Sequence, residues 1–417
     1  MAGLAVLLKA RGDEVTGCDV HASARTRWLE AQGIPVAVGH SAAHLRGVDE
    51  AVVTPAVRGD EPEIAGLADG AGPRLRFRGE VLAEVANGRE TIAVCGSHGK
   101  TTTATWIAKL LRALGEDVAW CIGGETGDFP VARAASAPAC LVVEADESDG
   151  TLALYHARTL VVNKCDYDHP DHFKTEADYF ACYETAKRNA AEVIESEVLG
   201  ELPGLGFLSA LAPHNRRNAR AAVEVALRRG HRLADIARAL PPVVSVLPDR
   251  RFQTIWPAPP QSNNPNTRTL AQSPLVIADY AHHPAEMKCA IGMARQRCRG
   301  RLRVLFQPHR YSRTKALLRD FPAAFAEADE VTLCPTYAAF ERPVAGGDVT
   351  DLYAACREFF GTPRRGGRGV VLRLAESCEA AWERAFADMA DGDLTLLLGA
   401  GDIINLVPLV RRDMARR

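Results

Sequence analysis

An α/β fold of two or three domains with largely parallel sheets is predicted by three features of the chain. Short apolar, β-rich runs alternate with helical patterns, the length is 417 residues where one domain usually takes about 100–200, and a glycine-rich loop sits between a strand and a helix. The runs lie at 51–53, 91–95, 141–143, 160–162, 275–277, 302–306, 331–334, 370–372 and 394–398.

Composition removes several function classes. A formal charge of −2 provides no general attraction to phosphate backbones, although Arg364, Arg365 and Arg368 cluster locally, so no nucleic-acid partner is expected. No apolar run approaches the roughly 20 residues of a membrane helix, and 2–8 is followed by Lys9 and Arg11. The eleven cysteines are scattered, several within apolar runs (Cys95, Cys121, Cys140, Cys334), with no CxxC pair and no signal peptide. Reduced core thiols in a cytoplasmic, non-membrane protein are the expectation.

Along the chain, 2–10 is helical in character and 13–19 reads as a strand ending in an acidic residue, a Rossmann-type unit without its first strand and glycine-rich turn. Breaks are expected at 78–90, before the strongest strand, and at 241–249, after a helix over 218–229. The stretch 257–274, rich in Pro, Asn, Gln, Ser and Thr, is expected to be a mobile surface loop.

Gly96, Ser97, His98, Gly99, Lys100, Thr101 and Thr102 follow the strand 91–95 and precede the helical run 103–114, the context a phosphate-binding loop needs. Glycines let backbone N–H groups approach phosphate, Lys100 neutralises its charge, and the Thr101 hydroxyl can ligate Mg²⁺. Counted from Gly96, the spacing is two residues shorter than the common GxxxxGK[ST] form.

Four carboxylates, Glu144, Asp146, Glu147 and Asp149, follow the apolar run 141–143. Such a cluster is commonly only a solvated loop, but at the end of a strand beside a phosphate loop Glu144 can hold Mg²⁺ directly or through water. After the strand 160–163, Asp168, His169, Pro170 and Asp171 form a short loop from which the imidazole can reach a second Mg²⁺ or a phosphate. Lys187 reads as a helix-surface lysine.

Taken together these residues resemble the Mur ligase family, and within it the alanine-adding branch. The histidine in Gly96 to Thr103 is typical of that branch and of a relative that attaches recycled peptides; Ile122-Gly123-Gly124 and 144–149 follow in the expected order. Arg250-Arg251-Phe252, 279–284, 306–314 and Gly399-Ala400-Gly401-Asp402-Ile403 resemble the family's third domain, and the segment FQPHRYSRT favours alanine addition.

The resemblance implies three domains: a truncated Rossmann-like UDP-substrate domain over 1–88, a shortened P-loop ATPase domain over 89–247, and a Rossmann-like amino-acid domain over 248–417. It implies ATP and Mg²⁺ as cofactors and UDP-N-acetylmuramate and L-alanine as substrates. Lys100, Glu144 and His169 are then catalytic, and Thr101, Glu144 and His169 hold the metal. Asn215 lies near adenine, Arg251 near the phosphates and Asp279 near the ribose, while His98, Tyr280, His282, Arg310 and Arg313 bind substrate. Two arginines three residues apart suit a bidentate clamp on a carboxylate, although a surface ion-pair role is the plainer alternative. Two other readings stay open: a degenerate homologue that binds ATP without ligating, and a ligase for recycled peptide.

Overall fold

The computed structural model describes all residues except 55, 56, 58–60, 66–71, 128, 136–138, 170, 171, 258–272, 340 and 362–368. The Arg364, Arg365 and Arg368 cluster, Pro170, Asp171 and most of 257–274 therefore lie outside the described residues. The chain divides into two compact units, Met1–Pro248 and Asp249–Arg417.

The first unit opens with helix α1 (Ala2–Arg11), strand β1 (Gly17–Asp19), α2 (Ala24–Ala31) and β2 (Val36–Val38). Strand β3 (Glu50–Val53), the one-turn α3 (Pro62–Ala65), β4 (Arg74–Phe77) and α4 (Arg78–Asn87) follow. Strands β1 and β2 pair in parallel, as do β3 and β4. Next come β5 (Thr91–Cys95), α5 (Lys100–Ala113), β6 (Ala119–Cys121), β7 (Ala132–Arg133), β8 (Leu141–Glu144) and β9 (Thr159–Val162). The unit ends with α6 (Glu176–Asn189), β10 (Glu192–Glu195), α7 (Pro213–Arg228) and α8 (Leu233–Val244).

Strands β5 to β10 form one sheet in the order β10-β9-β5-β8-β6-β7, parallel except for β7. Because side chains alternate across a strand, the continuous apolar run of β5 serves two cores at once. Ile92 and Val94 pack with Trp106, Ala222 and Ile236 on one face; Ala93 and Cys95 pack with Leu4, Leu82 and Tyr179 on the other. Leu4 and Leu7 of α1 and Val81 and Leu82 of α4 thus share a core with the sheet, which makes everything up to Pro248 one compact body.

The second unit runs β11 (Gln253–Trp256), β12 (Leu275–Asp279), α9 (Pro284–Arg297), β13 (Leu302–Phe306), α10 (Tyr311–Ala316), α11 (Phe321–Ala324) and β14 (Glu330–Leu333). It closes with α12 (Val349–Gly361), β15 (Val371–Leu374), α13 (Cys378–Ala387), β16 (Leu394–Leu398) and α14 (Leu406–Ala415). Its sheet has the order β11-β12-β16-β13-β14-β15, parallel except for the antiparallel edge strand β11. The α/β class with parallel sheets is as the sequence predicts.

Four local expectations are corrected. The expected break at 78–90 is the helix α4, whose Val81, Leu82 and Val85 are buried; glycines at 79 and 88 mimic a loop signal, but tertiary burial overrides it. The expected break at 241–249 starts too early, because α8 runs through Pro241 and Pro242 to Val244. Proline is tolerated there since each removes a single bond near the helix end, and the Pro241 carbonyl still accepts from Ser245. The strand expected over 13–19 is only Gly17–Asp19, and the helix expected from 218 begins at Pro213, which suits a first-turn position.

Candidate functional site

Parallel sheets place their loops together at the carboxyl ends of neighbouring strands. In the first unit β8, β5 and β9 are adjacent, with Val94 opposite Glu144 and Cys95 opposite Val162. The loop 96–99, the acidic run 144–149 and the segment 163–169 therefore converge, although they are far apart in sequence.

The loop is shaped by two glycines in the left-handed region, Gly96 (φ 120°) and Gly99 (φ 79°), the second capping α5. A Cβ at Gly99 would meet Asn218 Oδ1 at 2.6 Å, and one at Gly96 would meet Asn163 Cβ at 2.8 Å. Asn163 is itself held by an Nδ2 bond to Thr103 Oγ1 at 3.0 Å. Ser97 Oγ donates to the Asp166 carbonyl at 2.6 Å and accepts from the Asp166 N–H at 2.8 Å, tying the loop to the segment after β9.

Lys100 Nζ donates to the Gly96 carbonyl at 2.8 Å and to both Glu147 oxygens at 2.9 Å. Glu147 is fully buried and Asp146 lies 4.0 Å from the same ammonium, so the lysine pKa is driven upward: Coulombic attraction to Glu147, Asp146 and Glu144 outweighs its desolvation. Thr101 Oγ1 donates to Glu144 at 3.0 and 3.1 Å, and the Gly123 N–H donates to the same carboxylate at 2.7 Å. Thr102 is buried.

His169 Nε2 stands 3.6 Å from Glu147 and 3.7 Å from Asp168. Ligating atoms of Asp146, Glu147 and His169 all lie within 4.8 Å of one another. His169 has a left-handed φ of 58°, and its buried Nδ1 has no hydrogen-bond partner among the described residues. Hard carboxylate oxygens with one imidazole fit a Mg²⁺ ion, and Thr101 with Glu144 offers a second oxygen pair. From sequence Glu144 and His169 rank ahead of Asp146 and Glu147, which belong to the same carboxylate run after β8; the burial of Glu147 was not visible there.

His98 Nε2 lies 2.9 Å from Asp166 Oδ2, and Lys164 Nζ reaches that same oxygen at 2.7 Å. The bond from His98, joined by Lys164, holds the Asp166 carboxyl well below its usual range despite partial desolvation. Asn215, in the first turn of α7, accepts from Asn218 Nδ2 at 3.3 Å.

In the second unit, β12, β16, β13 and β14 are consecutive, and their carboxyl ends carry Asp279, Gly399, Gln307 to Arg313 and Tyr337. Asp279 accepts from the Phe252 and Ala281 N–H groups, each at 2.7 Å. Burial pushes its carboxyl up to about 6 even though Arg251 and these two bonds pull it down. The Arg250 and Arg251 guanidinium groups lie 4.6 and 4.7 Å from the Tyr280 ring centre, a cation–π pair. Arg250 also donates to the Gly399 carbonyl at 3.1 Å.

His282 Nδ1 lies 3.0 Å from the Tyr280 carbonyl, and its ring is 5.6 Å from that of His309. His309 stacks on Tyr337 and approaches Arg313 Nη1 at 3.4 Å. Burial and then the charges of His282, Arg313 and Arg310 push the His309 imidazole down to about 2, so it is neutral and cannot repel a cation. Arg313 is buried, against the plainer surface-pair reading, and Arg310 has a φ of 68°. Left-handed backbone at Arg250 (62°), Phe252 (49°) and Arg310 costs about 1–3 kcal/mol each and persists where surrounding contacts enforce it. Gln307 and His309 lie in the segment 306–314 without a role assigned to them from sequence, and Tyr337 was not singled out; the adjacency of β13 and β14 brings Tyr337 to His309.

Residues 1–90 match the family described as "Mur ligase family, catalytic domain", and residues 267–401 match "Mur ligase, glutamate ligase domain". The chain is 33% identical to the UDP-N-acetylmuramate--L-alanine ligase of Gloeobacter violaceus, over 98% of the chain and 92% of that protein. It is 33% identical to the same-named enzyme of Anaeromyxobacter dehalogenans (strain 2CP-C), over 97% and 93%. Its fold is similar to the crystal structure of the UDP-N-acetylmuramate-alanine ligase of Thermotoga maritima (TM-score 0.76, 23% identity, covering 100% and 97% of the two chains). It is also similar to a murein peptide ligase of Psychrobacter arcticus (TM-score 0.66, 19% identity).

Proposed function

This chain belongs to the Mur ligase family, and we propose that it is an ATP-dependent ligase joining L-alanine to the carboxylate of UDP-N-acetylmuramate in cell-wall precursor synthesis. What carries the substrate assignment is the likeness, over nearly its whole length, to ligases named for that reaction. Neither a recycled-peptide substrate nor a degenerate, non-ligating role is favoured by it.

A carboxylate is a poor electrophile, so amide formation requires its activation as an acyl phosphate, which the amine of alanine then attacks with loss of phosphate. ATP supplies the phosphoryl group. In this reading the loop from Gly96 to Thr102 cradles the phosphates with its N–H groups, and Lys100 releases Glu147 to neutralise charge on the transferring oxygens. Thr101 and Glu144 hold one Mg²⁺, and His169, with Glu147 and Asp146 beside it, holds a second. Asn215, Arg251 and Asp279 bind the nucleotide; His98 touches the carboxylate substrate; Tyr280, His282, Arg310 and Arg313 receive the amino acid.

The division of labour follows the chain: UDP-substrate binding by 1–88, ATP by 89–247 and amino acid by 248–417. No helix of the described residues is long and apolar enough to cross a membrane, and we place the protein in the cytoplasm with its UDP-linked substrate.

The test is phosphate release from ATP and Mg²⁺ with UDP-N-acetylmuramate and L-alanine each added and omitted. Release that needs both substrates supports the reading. Release unaffected by either omission sinks it, and chelating the divalent cation should return the rate to background.

A further inference from the structure

Away from the phosphate loop, four side chains from different elements converge. Cys18 comes from β1, His40 from the loop after β2, His44 from the short 3₁₀ turn Ala42–Leu45, and Glu63 from α3. Cys18 Sγ lies 3.3 Å from His40 Nδ1 and 3.1 and 3.2 Å from the two Glu63 oxygens. Glu63 in turn is 3.1 Å from His40 Nδ1 and 2.6 Å from His44 Nδ1.

A thiol, an imidazole and a carboxylate in contact also suit a nucleophilic relay, but such a relay passes through the two different nitrogens of one ring. Here Cys18 and Glu63 both meet His40 at the same atom, Nδ1, and Cys18 meets Glu63 directly. Ligating atoms of Cys18, His44 and Glu63 all lie within 4.8 Å of one another, and His40 Nδ1 stands beside Cys18 and Glu63, so the donors cluster instead of forming a line.

We propose that Cys18, His40, His44 and Glu63 form a tetrahedral binding site for a borderline-soft divalent cation of the Zn²⁺ class. One thiolate and one carboxylate balance the ion's charge, and one sulfur with two imidazoles is a donor set that prefers Zn²⁺ to Mg²⁺ or Ca²⁺. Bonds of about 2.0–2.3 Å at tetrahedral angles set donors about 3.3–3.8 Å apart, so the contacts of 2.6–3.3 Å that Cys18 and Glu63 make with each other and with the two histidines need to open by less than about 1 Å. Binding displaces the Cys18 thiol proton to solvent, and no redox change is involved.

The ion would tie the short α3 and the 3₁₀ turn to the paired strands β1 and β2. Helix α3 has four residues, far below the length at which a helix is stable alone, and β1 and β2 are three residues each. The role is structural, and independent of the Mg²⁺ ligands of the phosphate loop, which contain no sulfur.

Co²⁺ titrated into the chelator-stripped full chain reads this site directly. A near-ultraviolet thiolate-to-cobalt charge-transfer band, with intense tetrahedral d–d bands that Zn²⁺ abolishes, is expected at one ion per chain. In C18S the charge-transfer band is lost, and in E63Q the affinity for Zn²⁺ falls by about 100-fold while the secondary structure by circular dichroism is retained. Weak octahedral absorbance alone in the unaltered protein, or a thiolate band that survives in C18S, overturns the proposal.

Discussion

Lys100 Nζ donates to both oxygens of Glu147 at 2.9 Å, and that carboxylate has no exposure to solvent. A buried ion pair adds little beyond its desolvation cost, but removing one partner strands the other charge. Lys100→Met is expected to destabilise the chain by about 3–5 kcal/mol in urea unfolding and to reduce phosphate release by about 100-fold or more. The double variant Lys100→Met, Glu147→Gln should recover most of the stability and none of the activity. Equal loss of stability in single and double variants would show that the pairing is not the cause.

Gly99 takes a left-handed φ of 79° and faces Asn218 Oδ1 where a Cβ would sit. Gly99→Ala is expected to cost about 1–2 kcal/mol from backbone conformation alone, with more from the Asn218 contact. Thermal unfolding measures this, and the nucleotide Kd should weaken in parallel because the same turn aims the loop N–H groups.

Asp279 is buried and its carboxyl is raised to about 6 from the ordinary 3.8. The folded state therefore binds more protons than the unfolded state between these values, and this group lowers stability as pH rises through that window. The slope is about 1.4 kcal/mol per pH unit at most. Asp279→Asn has no such proton, so its stability relative to the unaltered protein should climb from pH 4 to pH 6 and then level. A flat difference across that range contradicts the assignment.

Arg313 is buried with Nη1 3.4 Å from Nδ1 of a neutral His309, and the proposed role for its guanidinium is to grip the carboxylate of L-alanine. Arg313→Lys keeps the charge but loses the planar fork, so KM for L-alanine should rise about 10–100-fold with KM for ATP unchanged. A rise confined to KM for ATP would move Arg313 to the nucleotide side.

By itself the sequence was sufficient for what depends on neighbours along the chain. The strand 91–95, the glycines at 96 and 99 and the helix with Lys100 and Thr101 at its start are local, so spacing and turn chemistry were enough to read them. The same holds for the α/β alternation. Glycine punctuation misled at α4, and proline at the end of α8, because burial and position within a helix outweigh local signals. What only the tertiary structure decided is which distant residues meet. That Glu147 holds Lys100, that Asp146 stands beside His169 and that His309 stacks on Tyr337 depend on which strands lie side by side, and that Cys18 meets Glu63 depends on where α3 packs. Strand order and register are set by long-range burial of both faces of a sheet, a quantity that no local stretch of chain contains.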